Sequence, residues 1–276
     1  MSFVVREANI PILPLGHRPI RILHFSDLHL TPRNKAKIAD IKSFAALEPD
    51  LVIATGDFLA HQGAVPTTLG ALGELLDFPG LFVFGSNDYF APRFKNPLAY
   101  LTPDNGKRVE GVPLPWRKLE EGLSQRGWRN LNSSRTLIEI AGTKIEARGT
   151  DDAHLNRDNY PSVAGEADPS AEIAIGVTHA PYLRLISAMT KDKLDLIFAG
   201  HTHGGQIRAP WFGGSRALVT NCDLPRWRAR GLTKLAGEPW LHVSAGMGTS
   251  PFSPFRLASP PEVSLLHLLP KEAPEI

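Results

Sequence analysis

The chain has 276 residues, 42% hydrophobic and 21% charged, ordinary values for a globular protein able to bury a sizeable core. A formal net charge of +2 gives no electrostatic case for a nucleic-acid binder. The single cysteine, Cys222, excludes an intramolecular disulfide and a cysteine-rich zinc site, and reads as a small buried or half-buried side chain.

Met1 to Ile22 holds no apolar core of signal length, and no later stretch is long enough to span a membrane. A soluble, cytoplasmic protein is expected. Phe3–Arg6 and Ile10–Ile12 read as a short edge strand, where Pro11 is tolerated. Ile20–Ser26 is a clearer strand and runs straight into Asp27-Leu28-His29. Asn34–Leu47 has rough helical spacing. Leu51–Thr55 is a buried strand ending in Gly56-Asp57. Pro66–Leu76 is a helix with proline in its first turn. Leu81–Phe84 is a strand ending in Gly85-Ser86-Asn87-Asp88.

Such a strand–helix alternation predicts a mostly parallel sheet with ligands beyond the carboxyl ends of its strands. Residues 89–114 read as a long surface loop, and Phe90, Phe94, Tyr100 and Trp116 serve either substrate contact or a satellite apolar cluster. A helix over Pro115–Gln125 precedes strands at Arg129–Leu131, Thr136–Ile140 and Lys144–Arg148, the last two joined by an Ala141-Gly142 hairpin. After a polar loop over 151–171 come a strand at Ile173–Thr178, then His179, and a helix over Tyr182–Met189. Leu194–Phe198 is a buried strand ending in Gly200-His201-Thr202-His203-Gly204-Gly205. Leu241–Ser244 and Val263–Leu268 close the series. One domain over residues 1–276, built from two facing sheets, is expected.

Asp27, His29, Asp57, Asn87, His179, His201 and His203 thus all follow strand-like runs. Imidazole is the commonest protein metal ligand. Seven ligands exceed the needs of one ion, whereas two ions about 3.5–4 Å apart that share a carboxylate would use them all. Asp57 is the natural bridge. Mixed His, Asp and Asn ligands suit Mn, Fe or Zn better than Ca or Mg.

Asp27-x-His29, Gly56-Asp57, Gly85-Ser86-Asn87-Asp88, Thr178-His179 and Gly200-His201-Thr202-His203, in this order, resemble the calcineurin-like metallophosphoesterases. Gly204-Gly205-Gln206 and Ser244–Ser250 narrow the likeness to a subgroup similar to bacterial YkuE- and YaeI-type phosphodiesterases. The resemblance implies a four-layer αββα sandwich with two facing mixed sheets flanked by helices. It implies one divalent transition metal ion on Asp27, His29, Asp57 and His203, and a second on Asp57, Asn87, His179 and His201. It further implies hydrolysis of a phosphoester, a diester or pyrophosphate, by a hydroxide bridging the two ions. Some relatives act on UDP-diacylglucosamine, so peripheral membrane or lipid-substrate contact is expected as well.

One motif departs from the family, whose third motif reads Gly-Asn-His-(Asp or Glu). Without a gap, Ser86 replaces the Asn and Asn87 the His. With one inserted residue, Asn87 remains the ligand and Asp88 takes the His position. The second reading is preferred because an amide oxygen is a better ligand than a serine hydroxyl, and it makes Asp88 and His179 the catalytic candidates. A local capping role for Asp88 competes with proton donation. His61 and His154 could replace the missing histidine, but read better as surface loop residues. His24 and His242 read as satisfied core histidines or supports behind the ligands. Arg226, Arg228 and Arg230 with Trp211 and Trp227 read as a solvated face rather than the basic groove of a nuclease. The competing function is a scaffold of the same fold that binds a protein partner.

Overall fold

The computed structural model describes residues 3–93, 110–211, 214–236, 239–252 and 255–272. Two six-stranded mixed sheets carry the chain. The first is built from β1 (Val4–Leu13), β2 (Ile20–Phe25), β3 (Leu51–Ala54), β4 (Gly80–Phe82), β5 (Arg129–Asn130) and β14 (Glu262–Pro270), in the order β1-β14-β2-β3-β4-β5. The second contains β6 (Ser134–Ile140), β7 (Thr143–Gly149), β8 (Ile173–Val177), β9 (Leu196–Ala199), β12 (Gly231–Lys234) and β13 (Trp240–Val243), in the order β12-β13-β9-β8-β7-β6. A small antiparallel ribbon, β10 (Arg208–Trp211) and β11 (Gly214–Ala217), stands apart.

The inner faces of the sheets share one apolar core. Ile20, Ile22 and Ile53 of the first sheet pack with Ile145, Ile175 and Phe198 of the second, all fully buried. Burial of each such side chain is worth about 1.5–3 kcal/mol. The outer face of the first sheet packs against α1 (Lys35–Lys42), α2 (Val65–Leu72) and α4 (Trp116–Ser124), and the second is covered by α5 (Leu183–Lys191). The layering is helix, sheet, sheet, helix, as the resemblance implied.

Several boundaries move. The first strand is one 10-residue element at the sheet edge, not a short one, and it pairs in parallel with the last strand, β14. Its edge position accommodates Pro11. The first two helices are shorter than their apolar spacing suggested, because each relaxes into a 3-10 turn, at Ser43–Leu47 and Gly73–Asp77. The strand at Leu81–Phe84 stops at Phe82, and Ser86–Tyr89 is a short helix, α3. Ala141 and Gly142 form the expected hairpin, both at positive φ, 51° and 81°. The ribbon and β12 were not foreseen. Phe94 and Tyr100 lie outside the described residues. Phe90 and Trp116, both half-buried, pack against the first sheet's core, Trp116 edge-on to Phe84, as a satellite cluster would.

Candidate metal centre

The carboxyl ends of β2, β3, β8, β9 and β13 open onto one edge of the sandwich. Backbone bonds stitch the turns there: Asp27 N–H donates to Gly56 O, and His29 N–H to Asp57 O, each at 2.9 Å. Gly200 N–H donates to His179 O at 2.8 Å. Asp27, His29, Asp57, His201 and His203 all adopt positive φ, between 43° and 69°. Such backbone is unfavourable for residues with a Cβ and persists only where the surroundings enforce it, typically at functional sites.

These turns bring the predicted ligands together. Ligand atoms of Asp27, His29 and His203 lie within 4.8 Å of one another, as do those of Asp27, Asp57 and His179, and all five residues are buried. The two Asp57 oxygens face opposite ways, Oδ2 toward His29 Nε2 at 3.5 Å and Oδ1 toward His179 Nε2 at 3.6 Å. Asp27 Oδ1 stands 3.9 Å from His29 Nε2 and 3.7 Å from His203 Nε2. His201 joins through Nδ1, 3.3 Å from His179 Nε2, and its N–H donates to Asp27 Oδ2 at 3.0 Å.

The donor set fits metal ions. Asp27 Oδ1 and both ring nitrogens of His29 are buried without a hydrogen-bond partner. Leaving such groups unpaired is costly. Their separations of 3.5–3.9 Å exceed hydrogen-bond length, yet suit a cation bonded to each at about 2.0–2.2 Å. Glycine keeps the space open: a Cβ on Gly85 would stand 2.4 Å from Asp57 Oδ1 and 2.6 Å from the His179 ring. Burial holds the pKa of His29 and His201 well below the usual histidine value and lowers that of His203 to about 4, so these rings present neutral nitrogens. Burial also opposes charge on His179, but the Asp57 and Asp27 carboxylates raise it to about 9. Backbone carbonyls orient two rings: His179 Nδ1 lies 2.6 Å from Thr55 O, and His203 Nδ1 lies 3.0 Å from Gly248 O.

The third motif resolves into two different jobs. Asn87 meets Asp57 twice, donating from its backbone N–H to Oδ1 at 2.7 Å and from its side-chain amide to Oδ2 at 2.6 Å. Ser86 contacts Asn87 through Oγ at 3.5 Å. Asp88 is fully buried and faces backbone. It accepts N–H groups of Asp57 (2.8 Å) and Gly85 (2.9 Å) on Oδ2, and of Phe58 (2.8 Å) and Leu59 (3.1 Å) on Oδ1. Burial and the nearby Asp57 push its pKa up to about 8, against these donors. Four donors form the pattern an ionised carboxylate satisfies. This placement shows the backbone contacts that the capping role requires.

His154 corrects an expectation. It is half-buried, its ring lies 4.5 Å from that of His201, and its Nδ1 stands 3.3 Å from the Tyr182 hydroxyl. Asp152 sets it there by accepting the His154 and Leu155 N–H groups at 3.1 Å. His61 is exposed and serves its own turn, accepting from Gly63 N–H at 2.9 Å. His24 and His242 form a buried pair across the sheets, Nδ1 to Nδ1 at 2.7 Å, with His24 Nε2 3.0 Å from Thr55 Oγ1. Trp227 is 56% exposed with Arg228 stacked on it, but Arg228 and Arg230 are half-buried, so only part of the expected solvated face is exposed. Lys37 and Arg256, near His29 and His203, carried no sequence signal; only the fold brings them to this edge.

The sequence profile of the calcineurin-like phosphoesterase family matches residues 20–205, which hold every predicted ligand. The chain belongs to this family. It is 28% identical over 255 residues to the Bacillus subtilis metallophosphoesterase YkoQ, covering 90% of this chain and 83% of YkoQ. It is 27% identical over 260 residues to the Escherichia coli phosphodiesterase YaeI, covering 91% and 83%. A solved archaeal phosphodiesterase superposes with a TM-score of 0.40 at 13% identity, over 83% of this chain and 85% of that one. The chain is thus a metal-dependent phosphoesterase by family, with Asp and His clusters able to hold metal. Among the described residues, no helix is long and apolar enough to cross a membrane.

Proposed function

We infer that the chain, as one domain, hydrolyses phosphodiester or pyrophosphate bonds at a centre of two divalent transition metal ions, Mn, Fe or Zn. The observation that carries this reading is the pair of buried, unpartnered donors on Asp27 and His29 facing Asp57 and His203 across gaps of cation size. Asp27, His29, Asp57 and His203 would hold one ion, and Asp57, Asn87, His179 and His201 the other. Ions bound there supply Lewis acidity toward phosphoryl oxygens and water activated near neutral pH.

The residues do the rest. Asp57, with one oxygen toward each histidine, sets the spacing of the two half-sites. Gly248 O and Thr55 O keep His203 and His179 in the tautomer that turns Nε2 inward. Asn87 steadies the Asp57 carboxylate by donating to both of its oxygens. Asp88 holds the Asp57 loop. Metal analysis of the purified protein, with hydrolysis of bis-p-nitrophenyl phosphate before and after chelation, tests this reading. Full activity in metal-free protein would defeat it, and metal-loaded but inert protein would favour the partner-binding scaffold.

A lipid-linked substrate is the second reading. Phe255 and Leu257, 77% and 62% exposed, flank Gln206 just beyond the His203 turn, with Leu257 N–H donating to Gln206 O at 3.0 Å. Binding to liposomes that carry a lipid diphosphate tests it; no binding removes it.

A further inference from the structure

His154 meets His201 ring against ring, with 4.5 Å between centroids and a tilt of 48°. Both nitrogens of His201 point elsewhere: Nδ1 faces His179 Nε2 at 3.3 Å, and Nε2 lies 3.2 Å from Asn221 O. Contact with His201 therefore asks for a flat ring at position 154, and for no ring nitrogen. The chain nonetheless places an imidazole there, half-buried and so partly open to a molecule arriving from solvent.

Its position is braced on both sides. The 3-10 turn Ala153–Leu155 carries it, and the fully buried carboxylate of Asp152 caps that turn by accepting the His154 and Leu155 N–H groups, each at 3.1 Å. On one flank, Asp151 accepts the Tyr89 hydroxyl at 2.7 Å, which ties the turn to the residue after Asp88. On the other, Arg184 Nη2 donates to Ala153 O at 3.2 Å, and its guanidinium lies over the Tyr182 ring at 4.8 Å. The Tyr182 hydroxyl stands 3.3 Å from His154 Nδ1 and sets how the imidazole is turned. Packing against His201 alone would not call for that hydroxyl. A polar ring fixed by its neighbours beside a proposed metal ligand is the arrangement of a preorganised contact.

We propose that His154 is a substrate-contacting residue: an imidazole N–H donates to a phosphoryl oxygen of the ester seated at the His179–His201 half-site. This rests on the proposed function and adds to it a residue outside the metal ligands. A neutral donor against an anionic oxygen gives a charge-assisted bond. Because the turn is already braced, the bond forms with little side-chain ordering left to pay.

The test compares wild type, His154→Phe and His154→Gln as metal-loaded full chains. Phenylalanine keeps the ring against His201 and removes the N–H, whereas glutamine removes the ring and keeps an N–H. Calorimetry with inorganic phosphate is read alongside metal content, melting temperature and kcat/KM for bis-p-nitrophenyl phosphate. His154→Phe should bind phosphate about 10-fold or more weakly and lose kcat/KM by a similar factor, with metal content and melting temperature unchanged. His154→Gln should recover part of both losses. Phosphate affinity within about 2-fold of wild type in His154→Phe overturns the contact, whether or not turnover falls. Metal loss in both variants overturns it too, since His154 would then serve His201 as a structural support. A metal-loaded wild type that binds phosphate but hydrolyses no ester defeats the hydrolase reading instead; loss of that phosphate affinity in His154→Phe would still uphold the contact.

Discussion

Asp88 and Asp57 stand back to back: the carboxylate of Asp88 accepts the backbone N–H of Asp57 at 2.8 Å, while the Asp57 side chain points away into the ligand cluster. One acid therefore holds the peptide from which the other reaches the metal site. Asp88→Ala would leave four buried N–H groups without their acceptor. We expect a stability loss of about 3 kcal/mol or more, read as a drop in denaturation midpoint. Activity should fall equally on esters with good and poor leaving groups. A loss confined to poor leaving groups would restore the proton-donor role.

In the proposed centre Asp57 serves both half-sites. Asp57→Asn should reduce occupancy of both ions, measured by elemental analysis, and lower turnover by more than about 100-fold, beyond the usual cost of an outer-shell change. Loss of any single histidine should cost less metal. Normal occupancy and turnover in Asp57→Asn would remove the bridging assignment.

Asn87 and Ser86 separate by contact. Asn87 touches both Asp57 oxygens, whereas Ser86 Oγ touches Asn87. Asn87→Ala should therefore lower the occupancy of one ion and spare the other. Ser86→Ala should change it little. The reverse outcome would place the serine hydroxyl on the metal.

The His24–His242 pair makes the apoprotein sensitive to acid. Burial holds both below the usual histidine pKa, His242 at about 3. Their folded values lie below the unfolded value near 6.5, so the unfolded chain binds more protons in between. The stabilisation is complete above about pH 6.5 and is lost as pH falls toward the folded values, at up to about 1.4 kcal/mol per pH unit for each histidine. Denaturation of metal-free protein from pH 7 to 4 measures it. A His24→Phe, His242→Leu double variant should show a shallower slope over this range, and an unchanged slope would mean that other groups carry the effect.

Chelation should destabilise as well as inactivate. Ions bound only by the folded state add stability by mass action, about 2.7 kcal/mol at a free concentration 100-fold above Kd. A melting temperature indifferent to chelator would argue that Asp27, His29 and Asp57 hold no metal.

All seven proposed ligands were visible in the sequence because each sits at a turn written in local signals: a buried apolar run, a small residue or glycine, then Asp, Asn or His. Strand types were legible for the same reason. The sheet order was not. β14 inserts between β1 and β2 across more than 200 residues of chain, and no local period encodes such pairing. Likewise, nothing in Gly85-Ser86-Asn87-Asp88 says that Asp88 faces the N–H groups of Asp57, Phe58 and Leu59, some 30 residues earlier; packing of β4 beside β3 decides it. His154, Lys37 and Arg256 carry no motif either. Their place at the site follows from loops converging on one sheet edge, where distance in space and distance along the chain are unrelated. Residue chemistry, spelled locally, thus named the proposed metal ligands, while long-range strand pairing and loop packing chose the side chains that surround them.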